Sequence, residues 1–341
     1  AFTLETSQMS RIFQTLGADP TKLGWFFILP PLAGLVVQPA IGSFSDRTWA
    51  PKLGGRRLPY LLIGMIFAVI MMLFLPNIGS LGLGYGSIEA LVFGAIAIAI
   101  LDVAANMAMQ PFKMMIGDMV NDEQKSYAYG IQSMLSNSGA VIAAFFPFLL
   151  TVLGVANTAK KGVVPQSVVI SFYVGATILV ITSLLTVTKV HEYDPKTYAR
   201  YHGIKEEDNK EGGNWFELLK KAPKVFWQVS LVQLFCWFSF QYLSTYATGA
   251  IAENVWKVTD PSSAGYQLAG NWFGVLTAVQ SIAAVIWSYV LAKVPNDHHK
   301  VGYGISLLLG AIGYGSIFFI HSQNILIVSF ILIGISWAAM N

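Results

Sequence analysis

The chain has 341 residues, of which 55% are hydrophobic and 11% charged, and its formal net charge is +3. Because soluble domains carry about a quarter charged residues, this composition excludes an ordinary soluble protein and predicts an all-α polytopic membrane protein. The small net charge gives no reason to expect a nucleic-acid partner. The single cysteine, Cys236, has no partner for a disulfide bond within this sequence.

The first part of the chain is predicted to contain six helices. Residues 1–16 form a helix that begins inside an apolar stretch, so we expect a fragment whose first helix is partial. Five further apolar segments are each long enough to cross a bilayer, and they cover residues 23–45, 58–76, 88–110, 127–153 and 167–188. The connecting residues 77–87 and 154–166 are predicted to lie outside, and residues 111–125 inside.

A charged linker follows the sixth helix. Residues 189–224 contain eight lysines or arginines and seven acids, which predicts a soluble cytoplasmic linker. Its few apolar residues predict a short interfacial helix at the end of the linker, and they are Trp215, Phe216, Leu218 and Leu219.

Four more helices are predicted after the linker. They cover residues 225–250, then a span that ends near residue 292, one that ends near residue 320, and one that begins near residue 325. Residues 252–270 are predicted to lie outside and residues 293–300 inside. Six helices, a linker and further helices imply two six-helix halves. The halves are residues 1–188 and 225–341, and we expect the second to be cut within helix 10, so that helices 11 and 12 are missing.

The loop between the second and third helices is the most distinctive polar segment. Residues 42–57 contain four basic residues and one acid, and the positive-inside rule places such a loop on the cytoplasmic side. Of the 21 lysines and arginines, sixteen fall in segments assigned to that side and four in segments assigned outside. We expect a gating loop that latches the cytoplasmic side through charge pairs, formed by Gly42, Asp46, Arg47, Arg56 and Arg57.

Ionisable side chains at bilayer depth are candidates for function, and Asp102 is the foremost of them. It lies about 21 Å along the fourth helix at 1.5 Å per residue, near the middle of the span. Asn106 and Gln110 follow one and two turns later, so the three share a face. Because burial favours the protonated form of a carboxyl group, we expect Asp102 to exchange a proton and to bind substrate with Asn106 and Gln110. The alternative is a structural aspartate that holds helices together.

Other polar side chains extend the candidate site. Glu5 and Gln8 lie one turn apart in the first helix, and we assign Glu5 to proton coupling and Gln8 to substrate binding. Arg11, in the same helix, either pairs with an acid or is structural near the outer rim. In the fifth helix Gln132 and Asn137 are assigned to the pocket, although polar pairs of this kind also bridge helices by hydrogen bonds.

The seventh helix carries a pattern typical of sugar binding. Gln233, Trp237 and Gln241 repeat at one-turn spacing, and Tyr242 lies on an adjoining face. Amides bond to sugar hydroxyls, and aromatic rings pack against the apolar face of a pyranose. We therefore assign Trp237, Gln241 and Tyr242 to the pocket, together with Gln280 of the eighth helix. The alternative is that the aromatic residues anchor helix ends at the membrane interface.

The loop resembles a known superfamily signature. The major facilitator superfamily has the general form G-x-x-x-D-R, then a basic pair after a glycine, and residues 42–57 match it with a somewhat longer spacing before that pair. The pattern D-x-x-x-N-x-x-x-Q-P from Asp102 to Pro111, with residues 9–18 and 235–246, resembles the sucrose–proton symporter group, whose bacterial members move disaccharides. Lys113 stands where that group has an arginine.

The resemblance implies a bundle of six plus six helices and implies that Asp102 carries both proton coupling and sugar binding. We therefore expect a secondary active transporter that moves a sugar, such as sucrose or maltose, with protons by alternating access. Its partners would be the sugar and the lipid of a plasma or bacterial inner membrane. It would need no cofactor beyond the proton gradient, and we expect a monomer.

Other functions stay open from the sequence. A sodium-coupled or uncoupled carrier of another solute, such as a glycoside or a peptide, would have the same fold. A membrane sugar sensor that does not transport could use the charged linker as a docking segment. The spans contain no HExxH, GxGD or Ser/Lys arrangement, so we do not expect an enzyme.

Overall fold

The structure is a computed structural model that describes residues 2–19, 23–82, 85–202, 220, 222–291, 293–294 and 298–340. Within these residues the chain forms ten long helices, one for each predicted span, and two short helices in the connections. The predicted all-α fold is confirmed. Five helical segments of the described chain are long and apolar enough to cross a membrane, namely Leu58–Ser80, Ile88–Met119, Glu123–Val152, Gln166–Lys189 and Ala264–Leu291.

The helices form an N-terminal and a C-terminal group. The N-terminal group consists of α1 (Phe2–Thr15), α2 (Leu23–Phe26), α3 (Leu29–Arg47), α4 (Leu58–Phe74), α5 (Ile88–Met119), α6 (Asp122–Val152), α7 (Gln166–Lys189) and α8 (Pro195–His202). The C-terminal group consists of α9 (Lys224–Trp256), α10 (Ala264–Leu291), α11 (His299–Ser316) and α12 (Leu326–Met340).

The N-terminal group packs around α5. Helix α4 lies against both α5 and α7, and α3 runs along α5. The buried core of this group contains Phe13, Leu101 and Phe172 from three different helices. A β-carbon at Gly64 of α4 would lie 2.7 Å from the backbone oxygen of Ala104 on α5. Glycine is therefore required where these two helices touch, as at many contacts between membrane helices.

The C-terminal group packs around α10, and it meets the N-terminal group along two seams. Helix α10 contacts α9 and α12, and α11 packs on α12, around a core that includes Phe273 and Phe330. Helix α6 contacts α10 across the first seam, and α1 contacts α9 and α10 across the second. At the first seam a β-carbon at Gly274 would overlap the carbonyl oxygen of Ala144. The backbones of α10 and α6 are therefore in direct contact at this glycine.

Successive helices run in opposite directions, which gives the bundle two ends. We call the end with residues 48–57, 118–122 and 190–198 the basic-loop end. We call the end with residues 16–19, 153–165 and 257–263 the opposite end.

Two predicted loops are wrong in extent. The predicted loop at residues 111–125 is mostly helix, because α5 continues through Pro111 to Met119 and α6 begins at Asp122. The predicted loop at residues 252–270 shrinks to residues 257–263. Helix α9 continues to Trp256, and it ends where Lys257 adopts a left-handed backbone with φ of 55°. In both places polar residues suggested a loop, but the helix simply extends beyond its apolar part.

The described part of the linker contains a short helix that the sequence did not predict. Residues 195–202 form α8, whose start is capped by Asp194 through bonds to the backbone nitrogens of Lys196 and Thr197. The predicted interfacial helix, with Trp215, Phe216, Leu218 and Leu219, lies outside the described residues.

Candidate functional site

A polar cluster lies near the middle of the bundle, where α5 faces α3. Asp102 and Asn106 occupy successive turns of α5, and each is 7% exposed. The amide nitrogen of Asn106 donates to the Asp102 carboxylate at 3.0 Å and to the Asp102 carbonyl oxygen at 2.9 Å. Gln38 of α3 donates to the amide oxygen of Asn106 at 2.8 Å. Gln38, Asn106 and Asp102 therefore form one chain of hydrogen bonds that ends at the carboxylate.

Gly34 leaves space over this cluster. It lies one turn before Gln38 on α3, and a β-carbon there would stand 3.7 Å from polar atoms of Gln38, Asn106 and Asp102. Because glycine has no side chain, α3 adds no side-chain atoms over these polar groups at this position. The sequence did not point to Gly34 or Gln38, because nothing in the periodicity of α3 says which helix it faces.

A second buried carboxyl group lies on α1 and interacts electrostatically with the first. Glu5 of α1 is 4% exposed, and its Oε2 atom has no hydrogen-bond partner among the described residues. The Asp102 carboxylate acts electrostatically on Glu5, so the structure brings together the two residues assigned to proton coupling. Two carboxylates in one low-dielectric site repel each other, which makes the doubly ionised form costly.

No cation neutralises these carboxyl groups in the described part of the chain. Its three ion pairs all lie at the basic-loop end and involve Arg56 or Arg57. Arg11 shares α1 with Glu5, but its hydrogen bonds go to amide oxygens. A proton or another cation that enters the site can balance the buried charge.

Gln8 and Gln280 border the same central region. Gln8 is completely buried, and its Nε2 atom lacks a hydrogen-bond partner among the described residues. Gln280 is 5% exposed, and with Ser7 it lines a cavity of about 10 Å³ between α1, α9 and α10. That volume holds roughly one water molecule, so a sugar does not fit there in this conformation.

The remaining predicted pocket residues are not joined to the Asp102 cluster by a described hydrogen bond. Gln110, Gln132, Asn137 and Gln241 are half-buried. The Trp237 ring is 45% exposed and packs edge-on against Trp337 of α12, with centroids 5.7 Å apart. The Tyr242 ring is 67% exposed and lies 4.6 Å from the Tyr246 ring.

A larger cavity does not gather the predicted residues either. It has a volume of about 260 Å³ and lies between α9, α11 and α12. Its walls are mostly apolar and include Cys236, Tyr314 and Ser336. None of the residues assigned to substrate binding lines it, so it is separate from the polar cluster.

The basic loop is fixed by ion pairs within the N-terminal group. Arg57 is 4% exposed and pairs with Asp46 at 2.7 Å and with Asp118 at 3.2 Å. Arg56 pairs with Asp118 at 2.8 Å, and its guanidinium lies 4.2 Å from the centre of the Tyr198 ring. Burial lowers the pKa of Arg56, but Asp118 and Tyr198 outweigh this effect, so the pKa of Arg56 is raised.

The other residues of the loop have different surroundings. Arg47 is exposed and belongs to none of the three described ion pairs. Gly42 is buried, and a β-carbon there would lie 3.5 Å from the methyl carbon of Met114. Glu192, from the start of the linker, accepts hydrogen bonds from the backbone nitrogens of Arg57 at 2.9 Å and Leu58 at 3.1 Å. Glu192 thereby caps α4, a role that its position in the linker did not suggest.

Comparison with known proteins decides the family. Residues 6–341 match the family model described as Major Facilitator Superfamily. The chain belongs to this superfamily. It is therefore an integral membrane protein of a transporter family, and the prediction that it is not an enzyme is confirmed.

The most similar relatives include sucrose transporters, at low identity. The chain is 26% identical over 200 residues to sucrose transport protein SUC4 of Arabidopsis thaliana, which covers 55% of this chain and 39% of that one. It is 28% identical over 171 residues to sucrose transport protein SUT4 of Oryza sativa subsp. indica. That match covers 43% of this chain and 28% of that one. It is 27% identical over 152 residues to human solute carrier family 45 member 4. That match covers 41% of this chain and 19% of that one. The resemblance to the sucrose symporter group is confirmed, although the chain spans less than half of these relatives.

A solved structure confirms the fold. The chain matches the crystal structure of a bacterial homolog of the human lysosomal transporter Spinster with a TM-score of 0.61 and 17% sequence identity. The match covers 99% of this chain and 71% of that one. That protein was solved in an inward-facing, unoccupied conformation.

Proposed function

We propose that the chain is part of a proton-coupled sugar symporter in which Asp102 links protonation to sugar binding. The observation that carries the proposal is a buried carboxylate near mid-bundle with amide partners and no counter-cation among the described residues. A permanent cation would hold the carboxylate ionised, whereas here a proton can balance it. The similarity to sucrose transport proteins supports a sugar as the substrate.

The chemistry of the cluster suits a neutral, hydroxyl-rich substrate. Asp102 and Glu5 provide hydrogen-bond acceptors, and the amides of Asn106 and Gln38 both donate and accept. A sugar hydroxyl can replace the bond between Gln38 and Asn106 without leaving either amide unpaired.

The arrangement of the two ends supports an inward-facing conformation. The concentration of basic residues supports a cytoplasmic position for the basic-loop end. At the opposite end the two groups meet where Asn271 of α10 bonds to Arg11 of α1 and Thr151 of α6, which supports a path that is closed from outside.

The test is to replace Asp102 by Asn in the full-length protein reconstituted into liposomes. With a proton gradient, we expect sugar accumulation to fall to the external concentration, because the amide cannot carry a proton. Exchange of labelled for unlabelled sugar, which needs no net proton movement, is expected to continue. Glu89→Gln is the matched control, because Glu89 is an exposed carboxylate on the same helix. Uphill accumulation at the wild-type level by Asp102→Asn would refute the coupling role.

The presence of two buried carboxyl groups also favours a second candidate, a sodium-coupled carrier. Two carboxylates and an amide oxygen are suitable ligands for a hard cation, and Glu5 has an oxygen without a described partner. Uptake measured at fixed pH with choline in place of sodium separates the two. Loss of accumulation without sodium, and its persistence with a proton ionophore, would favour sodium coupling.

A further inference from the structure

Arg11 is a completely buried arginine at the opposite end of α1, and its partners are unusual. Its Nε atom donates to Gln267 at 2.6 Å, and Nη1 donates to Asn271 at 2.8 Å and to Gln8 at 3.3 Å. Its Nη2 atom donates to Asn157 at 2.7 Å. All four partners are side-chain amide oxygens, and none is a carboxylate.

These amides come from both groups of helices. Gln267 and Asn271 belong to α10, whereas Asn157 lies in the connection between α6 and α7. The amide nitrogen of Asn271 also donates to Thr151 of α6 at 2.8 Å. A β-carbon at Gly270 would lie 2.7 Å from Cδ of Arg11, so the guanidinium reaches its partners only because α10 has a glycine there. We call Arg11, Asn157, Gln267 and Asn271 the amide clasp.

The chemistry of the clasp suits a contact that opens and closes. Arginine keeps its charge at neutral pH, and a buried charge without a counter-ion loses its hydration. Charge-assisted hydrogen bonds to amide oxygens recover part of that loss, but water can supply the same bonds. The closed and the hydrated states of Arg11 are therefore closer in free energy than they would be if a carboxylate held it.

We propose that Arg11 is a positioning residue that closes the opposite end of the transport path, held by the amide clasp when the two groups meet and hydrated when they part. The proposal rests on the alternating-access part of the proposed function. Gln8 connects the clasp to the site, because its oxygen accepts from Arg11 while its nitrogen has no described partner. Glu5 lies three residues before it on the same face of α1, so a ligand in the site can reach the free donor of Gln8.

The experiment measures whether the opposite end is open. Thr248 of α9 is completely buried, and Thr248→Cys places a thiol there in full-length protein whose other cysteines, including Cys236, have been replaced. A membrane-impermeant maleimide is added to each side of sealed vesicles, without sugar or a proton gradient. Because neither is present, the result is independent of which solute or ion the protein carries.

We expect Arg11→Gln to increase labelling from the opposite end on the order of tenfold, since about one charge-assisted bond is lost from the closed state. Arg11→Lys keeps the charge but not the fork of donors, and we expect an intermediate rate. Arg200→Gln, at an exposed arginine of α8, is the matched control and is expected to leave the rate unchanged.

A second variant predicts the opposite sign and does not depend on how well the Arg11 variants fold. Asn157→Asp changes one clasp amide to a carboxylate of the same size, which creates a partly buried ion pair with Arg11. We expect labelling from the opposite end to slow on the order of tenfold, and sugar exchange to slow with it. Wild-type labelling rates in both Asn157→Asp and Arg11→Gln would overturn the proposal and leave Arg11 as a packing residue. The proposed function fails separately, if Asp102→Asn still accumulates sugar.

Discussion

The two ends of the molecule each contain a buried arginine, and the two are held in different ways. At the basic-loop end Arg57 pairs with two carboxylates, and at the opposite end Arg11 bonds to four amides. The carboxylates of Asp46 and Asp118 belong to the same N-terminal group as Arg57, whereas the amide clasp joins the two groups. Full charge pairs therefore lie within one group, and neutral oxygens join the two groups that separate in the proposed transport cycle.

This difference changes the expectation for the basic loop. A latch between the two halves would need partners from the C-terminal group, and the three described ion pairs contain none. In this conformation the loop braces the N-terminal group and the start of the linker instead. A weak attraction does act between the groups at the opposite end, where Ser262 and, more weakly, Lys161 lower the pKa of Asp260. Both Lys161 and Asp260 are exposed, so we expect less than about 1 kcal/mol from it.

The largest expected effect is that of Arg57→Met on stability. Removal of the guanidinium leaves carboxylates that cannot donate to one another. Breaking a buried ion pair costs about 3–5 kcal/mol, but Asp46 is half-exposed and Asp118 keeps Arg56, so we expect about 2–3 kcal/mol. The apparent melting temperature in detergent should fall by roughly 5 °C.

Arg11→Met provides the comparison for that experiment. The glutamines and asparagines of the clasp both donate and accept, so they can bond to one another once the guanidinium is gone. We expect a fall in melting temperature of less than half that of Arg57→Met. Equal losses in the two variants would contradict the difference between the two ends. Arg47→Met, at an exposed arginine outside the described ion pairs, should change stability by less than about 0.5 kcal/mol.

A smaller effect is expected from Gly55→Ala, which tests how the linker is held at the basic-loop end. A β-carbon at Gly55 would overlap the Oε1 atom of Glu192, the atom that caps α4. Loss of a helix cap costs about 1 kcal/mol, and residues 191–198 should detach. Tryptic cleavage after Lys196, followed by mass spectrometry, should become faster.

Gly304→Ala is the matched control for this variant. Nothing lies within 4 Å of a β-carbon at Gly304 of α11, so alanine should be neutral or stabilise the helix by about 0.5–1 kcal/mol. Unchanged cleavage after Lys196 in Gly55→Ala would mean that Glu192 does not hold the linker.

The sequence predicts the helices better than it predicts their partners. Ten spans follow from apolar length, and Asp102 with Asn106 follows from one-turn spacing on a single helix. The continuation of α5 through Pro111 could not be predicted, because a proline within a membrane helix is tolerated when its surroundings satisfy the freed backbone groups.

Contacts between distant helices could not be predicted at all. The sequence left open whether Arg11 pairs with an acid, and the clasp partners outside α1 lie 146 to 260 residues away along the chain. Gln38 and Glu192 were missed for the same reason, since their roles depend on which helix each one meets. No spacing rule within a helix contains that information.

The smallest expected effect is on two exposed turns, one at each end, as pH falls. The hydroxyl and backbone nitrogen of Thr197 lower the pKa of Asp194, and the backbone nitrogen and hydroxyl of Ser262 lower the pKa of Asp260. A carboxyl group whose folded pKa is lowered stabilises the fold above its unfolded pKa, and that contribution is lost as pH falls through the folded value. Both turns should therefore keep their amide exchange protection down to about pH 4 and lose it below that.

Asp194→Asn should remove the pH dependence at Lys196 and Thr197 while leaving that of Ser262. Loss of protection already between pH 7 and 5 would mean that another group controls these turns. If the two ends respond alike, as expected, the contrast between Arg57 and Arg11 is confined to their buried charges and does not extend to the exposed surface.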